Sequence, residues 1–179
     1  MEEDGMRNRH QYYRAVGTLI AIAIVVATAT TLSGQYSLTV TQDRLNNAQN
    51  EPHNWLLMNG DYSSHRYSRL TQINRDNVDN LRMVWALALG GMQDVGQNGP
   101  ENEVNPLIDN GFMYTSDGWG TVYKIDARAS DHAKFVWTTD PGVDHEGNGS
   151  RTRGIALWED KVLQNLQDGR VIAIDREDG

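Results

Sequence analysis

Two short stretches of the chain hold the charged side chains best placed to do chemistry. Glu101 and Glu103 stand two apart in ENEVNP, and Arg151 and Arg153 stand two apart in GNGSRTRG, residues 147–154. The glycines, serine and arginines of the second stretch suit neither a helix nor a strand, but they suit a loop that offers guanidinium groups to an anion. The same region invites a metal reading, because Asp144, Glu146, Asn148 and Gly149 fall at the first, third, fifth and sixth places of an EF-hand-like pattern. The twelfth place is Ile155, where a bidentate glutamate is required, so no calcium loop is expected and no metal ligand is assigned. The five histidines show no ligand spacing and read as solvent-facing or packing residues. The chain has no cysteine, which removes disulfides, thiolate metal sites and cysteine nucleophiles together. No nucleophile-elbow, Walker or Rossmann pattern occurs. A net charge of −8 opposes a nucleic-acid partner, which demands a basic face. Trp119 in DGWG has two readings, a lid or stacking aromatic and a ring that packs a turn.

The elements that must position these residues are short. Apolar runs at 80–89, 105–116, 121–127, 134–139, 153–158, 161–166 and 170–175 are separated by Gly, Asn and Asp, the pattern of strands joined by tight turns. Seventeen glycines, five tryptophans and seven tyrosines agree with an all-β fold. Helix is expected only as a turn or two within LTQINRDNVDNL, with Asn74 as the cap. The strands also repeat. Residues 109–127 lie on 159–176 with one deletion, so that Asp126 meets Asp175, forty-nine positions on, and Trp85 and Trp137 each close an apolar triplet. A period near fifty with several strands per unit predicts a β-propeller of about two to three blades. A β-sandwich is the alternative, weakened by the recurring tryptophan.

The chain divides into a basic n-region (1–14), a hydrophobic segment (15–33), a polar linker (34–52) and the folded part (53–179). Arg7, Arg9, His10 and Arg14 precede an uncharged run that as a helix would reach about 27 Å, so a membrane anchor and a signal peptide cleaved near Ala27-Thr28-Ala29 both fit. Either places the rest outside the cytoplasm.

Residues 53–87, HNWLLMNGDYSSHRYSRLTQINRDNVDNLRMVWAL, closely resemble the opening of the pyrroloquinoline-quinone-dependent alcohol dehydrogenases of the methanol and ethanol type. ENEVNPLIDNGFMYTS and RTRGIALWEDKVLQNLQDGRVIAID resemble later segments of that family, so the similarity covers about 53–179. The resemblance implies an eight-bladed propeller carrying the quinone on its axis beside a calcium or lanthanide ion, and this chain supplies its N-terminal part. It also implies a periplasmic oxidoreductase that takes a small alcohol and passes electrons to a cytochrome c or membrane quinone. The catalytic base and most metal ligands are then expected beyond Gly179.

By the same resemblance Arg153 contacts the quinone and Glu103 orients it, with Glu101 the bland competitor of Glu103. From the residues alone, Arg153 is equally a surface arginine paired with Glu159 or Asp160. Gly147 and Asn148 stand where the family has two adjacent, disulfide-linked cysteines over the quinone face, and neither supplies sulfur. Direct cover by backbone, a different quinone geometry and loss of the cofactor remain open. The last would make the chain part of a non-catalytic propeller scaffold of the kind found in outer-membrane assembly.

Overall fold

A computed structural model describes residues 39–90, 101–146 and 151–179. The hydrophobic segment 15–33, Gly147 and Asn148 lie outside them. Among the described residues no helix is long and apolar enough to cross a membrane.

Two antiparallel sheets dominate. In the first, β2 (Leu107–Asp109), β3 (Phe112–Ser116), β4 (Val122–Asp126) and β5 (Lys134–Thr139) follow one another as a meander; in the second, β7 (Ile155–Trp158), β8 (Lys161–Asn165) and β9 (Val171–Asp175) do the same. Each sheet is introduced by a two-residue strand, β1 (Glu101–Asn102) and β6 (Arg151–Thr152), and these two pair in parallel.

The repeat is more regular than the sequence alignment indicates. Strands β3 and β8 start at 112 and 161, β4 and β9 at 122 and 171, so the offset is forty-nine in both cases and no deletion is needed. Backbone geometry keeps the same offset. Asn110 and Glu159 both adopt the left-handed conformation, at φ 56° and 50°, and Gly120 and Gly169 close equivalent turns at φ 91° and 87°. A side chain at either glycine would enter the disfavoured left-handed region, which fixes why a glycine recurs there.

Three expectations change. Residues 80–89 are not a strand: from Trp85 to Leu89 alternate residues are half-buried, and Trp85, Leu87 and Leu89 line a groove with Met113 and Ile125, but no described strand gives them a backbone ladder. The helical turn is a single 3-10 turn at Val78–Asn80, and Asn74 Oδ1 accepts from the Asp76 amide instead of capping an α-helix. The linker is not a linker over its described part. Residues 42–46 form a short helix, α1 (Gln42–Asn46), capped by Thr41, and Val40, Leu45 and Ala48 are buried.

Val40 exchanges both backbone hydrogen bonds with Glu159, and Trp55 does so with Ile108, so this early segment is stitched to the edges of both sheets. The core it joins contains Leu56, Leu107, Tyr114, Val122, Trp137, Ile155, Leu157, Val162 and Ile174. At about 1.5–3 kcal/mol per buried large apolar side chain, this core is the main stabilising contribution.

Charge is buried with it. The Asp109 carboxylate lies between Arg176, at 2.5 Å, and Arg44, at 2.9 Å, and the side chains of Asp109 and Arg176 are fully buried. Arg44 also pairs with Glu51 at 2.5 Å, and Arg176 reaches the Glu159 carbonyl and lies over the Tyr114 ring. The Arg44 guanidinium holds the Glu51 carboxyl below its ordinary value of 4.5. Stability from this pair is therefore complete above that value and is lost as pH falls through the lowered one. Acid titration of the wild type beside Glu51→Gln is expected to show a smaller loss below about pH 4.5 in the variant, read by tryptophan fluorescence; parallel curves would remove Glu51 from the acid response.

Candidate functional site

Because adjacent strands reverse direction, the start of β2, the β3–β4 turn and the segment leaving β5 share one end of the first sheet. The segment leading into β7 joins them, since the Thr152 hydroxyl donates to the Asp117 carbonyl in the β3–β4 turn. Asp109, Arg176 and Arg44 occupy the opposite end.

At the first end the parallel β1–β6 pair sets Glu101 beside Arg151 and Asn102 beside Thr152, and the Glu103 amide donates to the Thr152 carbonyl. This ladder brings together residues that are fifty apart in sequence. Glu103 Oε2 lies 3.4 Å from Arg153 Nε and its Oε1 lies 3.6 Å from Arg151 Nε. The exposure of all three side chains is substantial, 72% for Arg153. Glu103 thus draws two exposed arginines together at one surface, and exposed guanidinium groups are the kind of donor an anionic ligand requires. At such exposure the ion pairs themselves contribute little stability.

Arg153 thus takes Glu103 as its partner. Of the two alternatives read from sequence, Asp160 is engaged by Lys161 at 2.9 Å and Glu159 carries the backbone bridge to Val40.

Beneath this surface the β3–β4 turn is rigid and buried. Asp117 Oδ1 accepts from the Trp119 and Thr121 amides, and Oδ2 accepts from the Tyr123 hydroxyl at 2.8 Å. Burial and the neighbouring Asp117 push the Tyr123 phenol up to about 12, so it stays protonated and its oxygen accepts from the Gly90 amide. Trp119 packs the turn, and His145 stacks on it with ring centroids 3.8 Å apart and planes 16° apart. One face of the indole is therefore occupied by a protein side chain.

Asp117 and Thr152 have no role in the sequence reading, and Arg151 enters it only as the second arginine of the 147–154 stretch. Asp117 is visible there only as part of a turn, and the pairing that gives Thr152 and Arg151 their places depends on a two-residue ladder. Asp144 turns back on its own backbone, with Oδ1 accepting from the Glu146 amide at 2.9 Å. Among the described residues no three His, Asp or Glu side chains gather to hold a metal.

Residues 55–179 match the family described as PQQ, glucose/ethanol/alcohol dehydrogenase, β-propeller domain. The dehydrogenase subunit of a quinone alcohol dehydrogenase from Gluconacetobacter polyoxogenes is 35% identical over 168 residues, covering 91% of this chain and 21% of that protein. A quinohemoprotein alcohol dehydrogenase from Comamonas testosteroni is 36% identical over 138 residues, covering 74% and 18%. Among solved structures, a quinohemoprotein alcohol dehydrogenase from Pseudomonas putida superposes with a TM-score of 0.68 at 31% identity, over 79% of this chain and 20% of that one. The chain thus spans about a fifth of the length of these relatives.

Proposed function

Because the chain belongs to the pyrroloquinoline-quinone alcohol dehydrogenase β-propeller family, we propose that it supplies cofactor contacts to a dehydrogenase that oxidises a small alcohol. The observation that carries this reading is the meeting of Glu103 with Arg153 across the β1–β6 ladder. The quinone is a planar dione with three carboxylates, and an exposed cluster of two guanidinium groups around one carboxylate fits its chemistry.

In this reading Arg153 and Arg151 donate to the anionic edge of the cofactor, while Glu103 holds both arginines and accepts one hydrogen bond from it. The buried Asp117 turn keeps the β6 strand in place through Thr152. When bound, the quinone supplies the two-electron acceptor for the hydride of the alcohol. The catalytic base and the ligands of a calcium or lanthanide ion are assigned to the four-fifths of the relatives' length that this chain does not match. Alone, the chain is therefore expected to be inactive. We further place the protein in the periplasm, with residues 15–33 as anchor or signal and a cytochrome c or membrane quinone as electron acceptor. The scaffold alternative loses ground, since the relatives described are dehydrogenases.

The test is quinone titration of the complete protein, purified without cofactor, beside Arg153→Ala. Losing a charge-assisted hydrogen bond of about 1.5–3 kcal/mol is expected to weaken binding about 10- to 100-fold. Absence of saturable binding by the wild type with any metal would end the dehydrogenase reading.

A further inference from the structure

We propose that the cavity between the segment following α1 and the loop 59–69 binds a small hydroxycarboxylate: Arg69 takes the carboxylate, His65 accepts from the hydroxyl and Trp55 bears the apolar body. This site is separate from the quinone site, and its test does not depend on that reading.

The cavity has a volume of about 250 Å³. Pockets for drug-sized ligands span about 300–1,000 Å³ and a water takes about 30 Å³, so this one suits a single ring or a short chain. Trp55 gives it an apolar surface, and Asp61, His65 and Arg69 give it polar groups. The tryptophan is fixed by its backbone bridge to Ile108 and by its indole N–H, which donates to the Met58 carbonyl at 3.3 Å. Gly60, at φ 85°, lies so near that a side chain there would meet the Trp55 ring at 2.9 Å, so the loop is seated on the indole.

The loop also fixes His65. Its neighbours Ser64 and Arg66 both adopt the left-handed backbone, at φ 58° and 52°, a strained conformation for any residue but glycine. Asn59 holds them there, since its amide donates to the Ser64 hydroxyl and its side-chain oxygen accepts from Arg66 Nε at 2.8 Å. Asp61 then sets the ring: Oδ1 accepts from the His65 amide at 3.2 Å, and Oδ2 lies 2.7 Å from Nδ1. The bond from the His65 ring holds the Asp61 carboxyl below its ordinary value of 3.8. An ionised carboxylate can only accept, so Nδ1 carries the proton and, in the neutral ring, Nε2 keeps its lone pair.

Two groups at the cavity are left without a protein partner among the described residues, His65 Nε2 and the Arg69 guanidinium. Asp61 is engaged by His65, so the unmatched charge is positive and calls for an anion. The Nε2 acceptor calls for a hydroxyl, and the indole for an apolar group. A hydroxycarboxylate with an apolar body carries all three in one small molecule.

The experiment is calorimetric titration of the complete protein, purified without cofactor, with mandelate, with phenylacetate, which lacks the hydroxyl, and with methyl mandelate, which lacks the charge. The wild type is expected to bind mandelate with a dissociation constant of about 1 mM or below, phenylacetate about fivefold more weakly and the ester more weakly still. Arg69→Gln is expected to weaken mandelate about tenfold or more. His65→Phe is expected to bring mandelate and phenylacetate within about twofold of each other, the signature of a lost hydroxyl contact. Both side chains are exposed, and an unchanged melting temperature checks that each variant is folded. No mandelate binding, binding that Arg69→Gln leaves unchanged, or a preference for mandelate that survives His65→Phe would each overturn the proposal. Quinone titration of the same preparation reads the other site separately, so either site can fail alone.

Discussion

Asp109→Ala is expected to destabilise the fold by about 3–5 kcal/mol, the cost of leaving one member of a buried ion pair without its partner. Arg176 has no route to water, its side chain being fully buried, and Asp109 is the carboxylate that pairs with it, at 2.5 Å. The Tyr114 hydroxyl and the Glu159 carbonyl remain as acceptors, but neither carries a full charge. Arg44 suffers less, because it keeps Glu51 and is partly exposed. Against a typical total of about 5–15 kcal/mol, such a loss leaves little folded protein in mild denaturant. Replacing both partners, as Asp109→Leu with Arg176→Met, is expected to recover most of the loss, since two neutral side chains bear no desolvation penalty. Urea unfolding followed by fluorescence measures both. A loss below about 1 kcal/mol in the single variant would show that Arg176 finds solvent or another counter-charge.

Trp137→Ala carries a comparable cost, about 3–5 kcal/mol for truncating a large aromatic side chain in a core. Trp137 lies in β5 of the first sheet, yet its indole N–H donates to the carbonyl of Arg176 at the end of the second, and its ring lies beside Gly179. Tyr114 approaches the ring at 6.3 Å, tilted by 54°. Cutting it back opens a cavity where the two sheets meet. Trp137→Phe separates packing from hydrogen bonding. It keeps most of the ring, and the Arg176 carbonyl still accepts from Lys124 at 2.5 Å, so a loss nearer 1 kcal/mol is expected. Equal losses in the two variants would mean that the N–H, and not the ring, joins the sheets.

The strands were legible because their apolar runs alternate with Gly, Asn and Asp, and because β3–β4 and β8–β9 recur at a fixed interval. Propeller-type sheets followed from that interval, and the family match agrees. Residues 39–52 were not legible. Val40, Leu45 and Ala48 are too sparse to show a period, and what recruits the segment is a backbone bridge to Glu159 and an ion pair from Arg44 to Asp109, contacts between residues far apart in sequence. For the opposite reason 80–89 looked like a strand: its composition is right, and only the ladder is missing. Glu103 and Arg153 were singled out separately by resemblance, but their contact depends on two residues of parallel pairing, too few for any pattern to announce. Trp119 packs its turn, the more ordinary of its two readings, and the ring that covers it, His145, carries no mark in the sequence.

The bridge between Val40 and Glu159 also sets an order of events during synthesis. A chain made from its N-terminus releases Val40, Leu45 and Ala48 long before Glu159 and Arg176 exist, so this segment must wait for its partners before it can lock. Trp55 meets Ile108 earlier, which makes assembly stepwise: the first sheet captures the near part of the segment, and the corner between β7 and β8 captures the far part. Until then those apolar side chains are open to a holding chaperone. Trimming the early segment would in turn damage the second sheet, more than a hundred residues on.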